Sequence, residues 1–237
     1  LRAAARALAV RVLLRMARRT GAPTRGVRRL SAGSDPLAGD LDLEATLART
    51  DGLVPTRAED VVTRRWSATE RAICLLIDRS GSMTGAQVAT AALAAAGVVV
   101  AAGERADCSV IAFAKDAIVL QRQGRRRPTG AVLDDLLSLR GRGETDLALA
   151  LRSARRELGR AGAADRVVVL LSDAKATTGA DPLGVVRGID RLHVLCTSED
   201  PESLEAASAL ARAGGGRLRV VRSVRDVPDA LNAVLGA

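Results

Sequence analysis

The chain has 237 residues, of which 48% are hydrophobic and only 1% aromatic. That length buries a core without disulfides or structural metals, and the core must be built from Ala, Val, Leu and Ile around the single Phe113 and Trp66. So few aromatics disfavour a base-stacking surface for single-stranded nucleic acid, despite a formal net charge of +9.

The charge is unevenly spread. Residues 1–30 hold nine arginines and no acid, which leaves 27 basic residues elsewhere against 27 acidic ones. The chain therefore reads as a basic arm on a neutral body. Residues 1–19 carry Leu1, Ala5, Leu8, Val12 and Met16 at helical spacing, with Arg2, Arg6, Arg11 and Arg15 as a parallel basic stripe. Two readings stand for this helix: it docks on its own protein, or it touches an acidic partner or anionic membrane. The arginines interrupt any continuous apolar run, so a secretory signal is disfavoured. No stretch approaches 18 apolar residues, so no membrane span is expected.

Residues 20–40 read as a Gly-, Pro-, Ser- and Arg-rich loop. A short helix is expected over Asp40–Arg49, with Asp40 as its N-cap. Asp60–Trp66 reads as a strand, joined by a short turn to Ala72–Ile77, with which it would pair antiparallel. These features divide the chain into a basic helical extension and linker, residues 1–58, and a main domain, residues 59–237.

From Ala72 onward apolar strands alternate with helices. Strands are expected at Ala72–Ile77, Cys108–Phe113, Ala117–Gln121, Arg166–Leu171, Leu192–Cys196 and Leu218–Val221. Helices are expected at Ala86–Ala102, Gly130–Ser138, Asp146–Leu158, Pro182–Ile189, Pro201–Ala213 and Val227–Leu235, with Gly214–Gly216 as a stop signal. Near-continuous apolar strands between helices mean a mainly parallel, doubly wound α/β sheet covered on both faces. Cys74, Cys108 and Cys196 lie in separate strands, and neither their number nor their spacing suits a disulfide framework or a zinc site. Free thiols in a reducing, cytoplasmic setting are expected. The single His193 lies in another strand pattern, as a core or sheet-edge residue.

Three segments carry small oxygen donors. Asp78, Ser80 and Ser82 follow the first strand of the main domain, in CLLIDRSGSM. Thr145 sits in GRGETD, just before a helix, and Asp173 follows RVVVLLS. Strand carboxyl ends gather on one edge of a parallel sheet, where open α/β folds bind ligands. Two carboxylates and three hydroxyls, without His or Cys, suit a hard cation, Mg²⁺ before Mn²⁺. The bland alternative is that each residue caps a turn or a helix.

DRSGSM followed by Thr145 and Asp173 resembles the metal-ion-dependent adhesion site of von Willebrand factor A domains, over about residues 70–237. The resemblance implies a Rossmann-like sheet with one short antiparallel edge strand. It also implies Asp78, Ser80, Ser82, Thr145 and Asp173 as the metal-binding set, and a partner protein's carboxylate completing the coordination. Two positions depart from the pattern of many bacterial members: Gly143-Glu144-Thr145-Asp146 stands for Gly-Gly-Thr-Pro, and Asp173-Ala174 for Asp-Gly. The chain also looks like bacterial cytosolic members that work with MoxR-type AAA+ ATPases, and is similar to the C-terminal domain of the magnesium chelatase D subunit. It has no GxxxxGK[ST] loop, so any motor would be a separate chain or domain. Arg79, Arg140 and Arg142 are candidates to attract an acidic partner.

A metal-assisted phosphatase with Asp78 as nucleophile is a second reading, but Asp78 opens no DxD motif, and the chain has no GxSxG or HExxH motif and one His. Nucleic-acid or membrane binding through the basic arm is a third.

Overall fold

The computed structural model describes residues 28–33, 40–50, 60–68, 71–80, 90, 94–95, 106–125, 127–139 and 143–235. The predicted helix over residues 1–19 lies outside them. So do Ser82, Arg140, Arg142 and most of Ala86–Ala102, of which Thr90, Ala94 and Ala95 are helical and buried. The described residues fall into two compact units, within Arg25–Glu70 and Arg71–Ala237.

The smaller unit holds strands β1 (Arg28–Gly33), β2 (Asp40–Leu41) and β3 (Thr63–Ala68) and helix α1 (Leu43–Arg49). The order is β1-β3-β2, antiparallel throughout. Part of the expected loop over residues 20–40 is thus a strand, because β3 offers it a complete ladder from Arg28↔Ala68 to Gly33↔Thr63. The N-cap of α1 is Asp42, not Asp40: Asp40 is taken into the ladder with Arg64, and the Asp42 carboxylate accepts from Ala45 N–H at 3.1 Å.

The larger unit is a six-stranded sheet: β4 (Arg71–Asp78), β5 (Ala106–Phe113), β6 (Ala117–Gln121), β7 (Asp165–Ser172), β8 (Arg191–Cys196) and β9 (Leu218–Val220). Its order is β6-β5-β4-β7-β8-β9. Only the β5–β6 pair is antiparallel. The expected antiparallel pairing of residues 60–66 with the central strand does not occur. Both edges of β4 are already occupied, by β5 and β7, so β3 pairs with β1 and β2 instead. The compact units part at Glu70–Arg71.

Helices α2 (Thr129–Ser138), α3 (Leu147–Leu158), α4 (Pro182–Val186), α5 (Pro201–Ala213) and α6 (Val227–Leu235) cover the sheet. Alternation along β4 sends Ile73, Leu75 and Ile77 to one face, against Val132 and Leu136 of α2 and Leu231 and Val234 of α6. Ala72, Cys74 and Leu76 face the other way, toward Leu147, Leu151 and Ala154 of α3 and Leu210 of α5. Burial of one such leucine contributes roughly 1.5–3 kcal/mol, so two full faces supply the core that the missing aromatics do not. At the end of α5 the chain runs hard against β8. Gly216 N–H donates to Ala211 O at 2.8 Å, and a Cβ on Gly216 would overlap the Leu192 carbonyl. Glycine is required there by that approach.

Candidate functional site

Parallel pairing brings the ends of β4 and β7 level, with Ile77 opposite Leu171. Asp78 ends β4 and is 1% exposed. Its Oδ1 accepts from the Ser80 backbone N–H at 2.8 Å, which folds the chain sharply over the carboxylate. Its Oδ2 accepts from the Ser172 hydroxyl at 2.6 Å, across to the end of β7. Ser172 Oγ in turn accepts from Ala174 N–H at 2.9 Å. Ser172 was not singled out from sequence, yet it ties the first predicted donor segment to the third. The only available signal was a hydroxyl as the last residue of a strand that ends beside a buried acid.

Asp173, half-buried, follows directly, and its Oδ1 accepts from Lys175 N–H at 3.1 Å. It lies close enough to Asp78 to act on it electrostatically. Burial pushes the Asp78 carboxyl above its usual range, hydrogen bonds from Ser172 and Ser80 oppose that shift, and the nearby Asp173 charge adds to it.

Thr145 is 3% exposed and is held by the loop that carries Asp173. Its N–H donates to Thr177 Oγ1 at 2.7 Å, and its carbonyl accepts from Thr177 N–H at 3.0 Å. Thr177 is a second residue that sequence reasoning missed. Asp146 is the N-cap of α3, its Oδ1 accepting from Leu149 N–H at 2.7 Å. This is the bland reading for that acid. Gly179, at φ +91°, makes room for the same carboxyl, which a Cβ would overlap. Glu144 is exposed.

The β5–β6 turn closes the ring. Arg79 N–H donates to Phe113 O at 2.8 Å and Asp146 N–H to Ala114 O at 2.9 Å. Asp116 of this turn forms an ion pair with Arg79, so Arg79 is engaged within the fold rather than presented as a free charge. The chain contains only two lysines, Lys115 and Lys175, and both stand on these rim loops. Lys115 is exposed. Lys175 bridges to Asp200 at 2.9 Å and Glu202 at 3.6 Å.

The structure thus gathers Asp78, Ser80, Thr145 and Asp173 on the carboxyl edge of the sheet, while Ser82 lies outside the described residues. Among the described residues no group of three or more His, Cys, Asp and Glu is placed to hold a metal ion. What converges is two carboxylates with small hydroxyls, an all-oxygen set, and one carboxylate is destabilised by burial and by the other. That donor set fits a small divalent cation with open positions. His193 lies in the first half of β8, toward the opposite edge, with its Nδ1 accepting from Arg217 N–H at 3.0 Å. It offers no general base to Asp78.

Residues 73–175 match the von Willebrand factor type A domain. The larger unit has the Rossmann-like fold of these domains, and solved structures share it. An aerotolerance-related membrane protein from Bacteroides fragilis is 17% identical, with TM-score 0.55 over 70% of this chain and 98% of that one. A von Willebrand factor type A protein from Catenulispora acidiphila is 21% identical, with TM-score 0.56 over 73% of this chain and 43% of its own. A mutant of the PilB minor pilin from Streptococcus sanguinis is 14% identical, with TM-score 0.58 over 73% of this chain and 63% of its own. This chain therefore matches less than two thirds of the latter two. No curated protein sequence matches the chain significantly.

Proposed function

We propose that the larger unit is a divalent-cation-dependent protein-interaction module, not an enzyme. The observation that supports it most is the meeting of the Asp78 and Asp173 carboxylates with the Ser80 and Thr145 segments on one sheet edge. Asp78, Ser80, Ser82, Thr145 and Asp173 would hold Mg²⁺, with Mn²⁺ as a substitute. The cation would supply a Lewis-acid point for a carboxylate of the partner. The residues of this chain do the positioning. Ser172 orients Asp78, Lys175 N–H orients Asp173, and Thr177 fixes the Thr145 backbone.

Adhesion and pilus proteins among the structural neighbours are in keeping with a binding role. The partner we favour is a separate AAA+ ATPase of the MoxR type, in the cytoplasm; a magnesium-chelatase-like assembly is the alternative. Among the described residues no helix is long and apolar enough to cross a membrane. The phosphatase reading lacks an imidazole near Asp78, since the single His lies elsewhere.

Isothermal titration of the purified protein with MgCl₂, and a pull-down with and without Mg²⁺, test the reading. Wild type should bind Mg²⁺ and retain the ATPase only with it. Asp78→Ala should lose both by more than about 100-fold, which is about 2.7 kcal/mol, and remain folded. An Asp78→Ala protein with undiminished metal-dependent retention would sink the assignment. Metal-dependent phosphate release lost in Asp78→Asn would favour the hydrolase instead.

A further inference from the structure

A groove of about 630 Å³ lies between α4 and α5, and none of Asp78, Ser80, Thr145 and Asp173 lines it. Gly184, Ala209 and Ala213 line it, residues small enough for another backbone to approach closely. Leu183 also lines it, 39% exposed, one of four exposed large hydrophobic side chains among the described residues. Arg187 and Arg212 line it as well, both exposed. Neither is engaged by an acid among the described residues. Arg212 only donates from Nε to Ser208 O at 3.4 Å. The Arg155 guanidinium packs beside Gly188, next to Arg187. The single acid in the lining, Asp181, is occupied as the N-cap of α4, accepting from Leu183 N–H at 3.0 Å.

Two guanidiniums, Arg187 and Arg212, thus line an open groove of small residues together with one apolar side chain, Leu183. Unpaired exposed arginines beside an apolar surface are typical of binding anchors rather than of core packing. Arginine suits a carboxylate especially well, because its planar fork donates to two oxygens at once.

We infer that this groove is a second docking surface, separate from the metal edge, which seats an acidic amphipathic segment of a partner protein. The segment sets an apolar side chain over Ala209 and Ala213 against Leu183, and places a carboxylate between Arg187 and Arg212. Contact of this kind needs no metal.

A phage-displayed library of random 12-residue peptides, selected on the whole protein in EDTA, tests it. Wild type should enrich sequences with Asp or Glu flanking Leu, Ile, Val or Phe. An Arg187→Glu/Arg212→Glu variant should enrich none of them, and an enriched peptide should bind it at least 10-fold more weakly. The Asp78→Ala protein should bind that peptide as wild type does, so failure here is distinct from failure of the metal reading. Both arginines are exposed, so unchanged circular dichroism and melting temperature will show that the variant is folded. Enrichment without acidic bias, or equal binding to the charge-reversed protein, overturns the inference. Displacement of the peptide by glutarate with no dependence on the apolar residue reassigns the groove to a small anion. Concentration-dependent dimers lost in the variant reassign it to a second copy of the chain.

Discussion

The two ends of the larger sheet treat charge in opposite ways. At the amino end, Arg71 of β4 pairs with Asp165 of β7 at 2.7 Å and donates to Leu235 O at 2.5 Å. Arg191 stands 3.8 Å from the same aspartate, and Arg217 donates to Ala233 O at 2.9 Å. Cations there meet a carboxylate and the carbonyl end of α6, where a helix dipole favours them. At the carboxyl end, Asp78 is buried with a second acid nearby and no cation on its oxygens. One end is arranged for stability; the other holds negative charge together, as a binding site does.

This contrast can be broken from either end. The largest effect is expected at the amino end, on acidification. Burial and the flanking Arg191, Arg217 and Arg71 lower the His193 pKa from 6.5 to about 4. The unfolded chain therefore binds the extra proton between about pH 6.5 and 4, and stability falls as pH drops through that window. The loss should approach about 3 kcal/mol by pH 4. Urea melts across pH 4–7 should show it, and His193→Gln should flatten that limb. Next comes Arg71→Ala, which leaves Asp165 and the Leu235 carbonyl without their main partner. A cost of about 1–3 kcal/mol is expected in chemical denaturation.

A change of opposite sign is expected at the carboxyl end. Asp78→Asn removes a buried charge, so without metal the variant should be more stable than wild type by roughly 1 kcal/mol at pH 7. Mg²⁺ should raise the melting temperature of wild type only. If Asp78→Asn is instead destabilised in EDTA, the two ends are alike and the contrast is lost.

The smallest effect is expected at Ala174, which has φ +62° and is 3% exposed. Glycine would relieve roughly 1–2 kcal/mol of left-handed strain. It would also remove a buried methyl, costing about 0.8 kcal/mol, and add unfolded-state freedom, costing about 0.4–1 kcal/mol. Ala174→Gly should therefore be neutral to within about 1 kcal/mol. Ala150→Gly, in the middle of α3 and fully buried, should be clearly destabilising.

How much of this was legible follows from whether the signal was local. The apolar run Ala72–Ile77 marks β4 because a strand buried on both faces cannot hide polar residues. Pro201–Ala213 and Val227–Leu235 carry their own helical periodicity and were read to the residue. Asp78, Ser80, Thr145 and Asp173 were readable as a group because strand order alone sends their loops to one edge. β1 was not readable, since Arg28–Gly33 becomes a strand only when β3, some thirty residues later, provides its ladder. Ser172 and Thr177 were missed for a related reason. Each acts on a residue distant in sequence, and nothing in a lone hydroxyl announces that partner. The strain at Ala174 is likewise a property of the turn, not of the residue type.

The placement of the two lysines has a practical consequence. An amine-acylating reagent can modify the side chains of this chain at Lys115 and Lys175 alone, because every other basic side chain that could carry a tag is a guanidinium or the imidazole of His193. Both report from the loops around the carboxyl edge of the sheet. Mass-spectrometric acylation yields at these two positions, with and without Mg²⁺ or a bound protein, would thus read occupancy of that edge directly, and the unmodified protein already carries the probe sites.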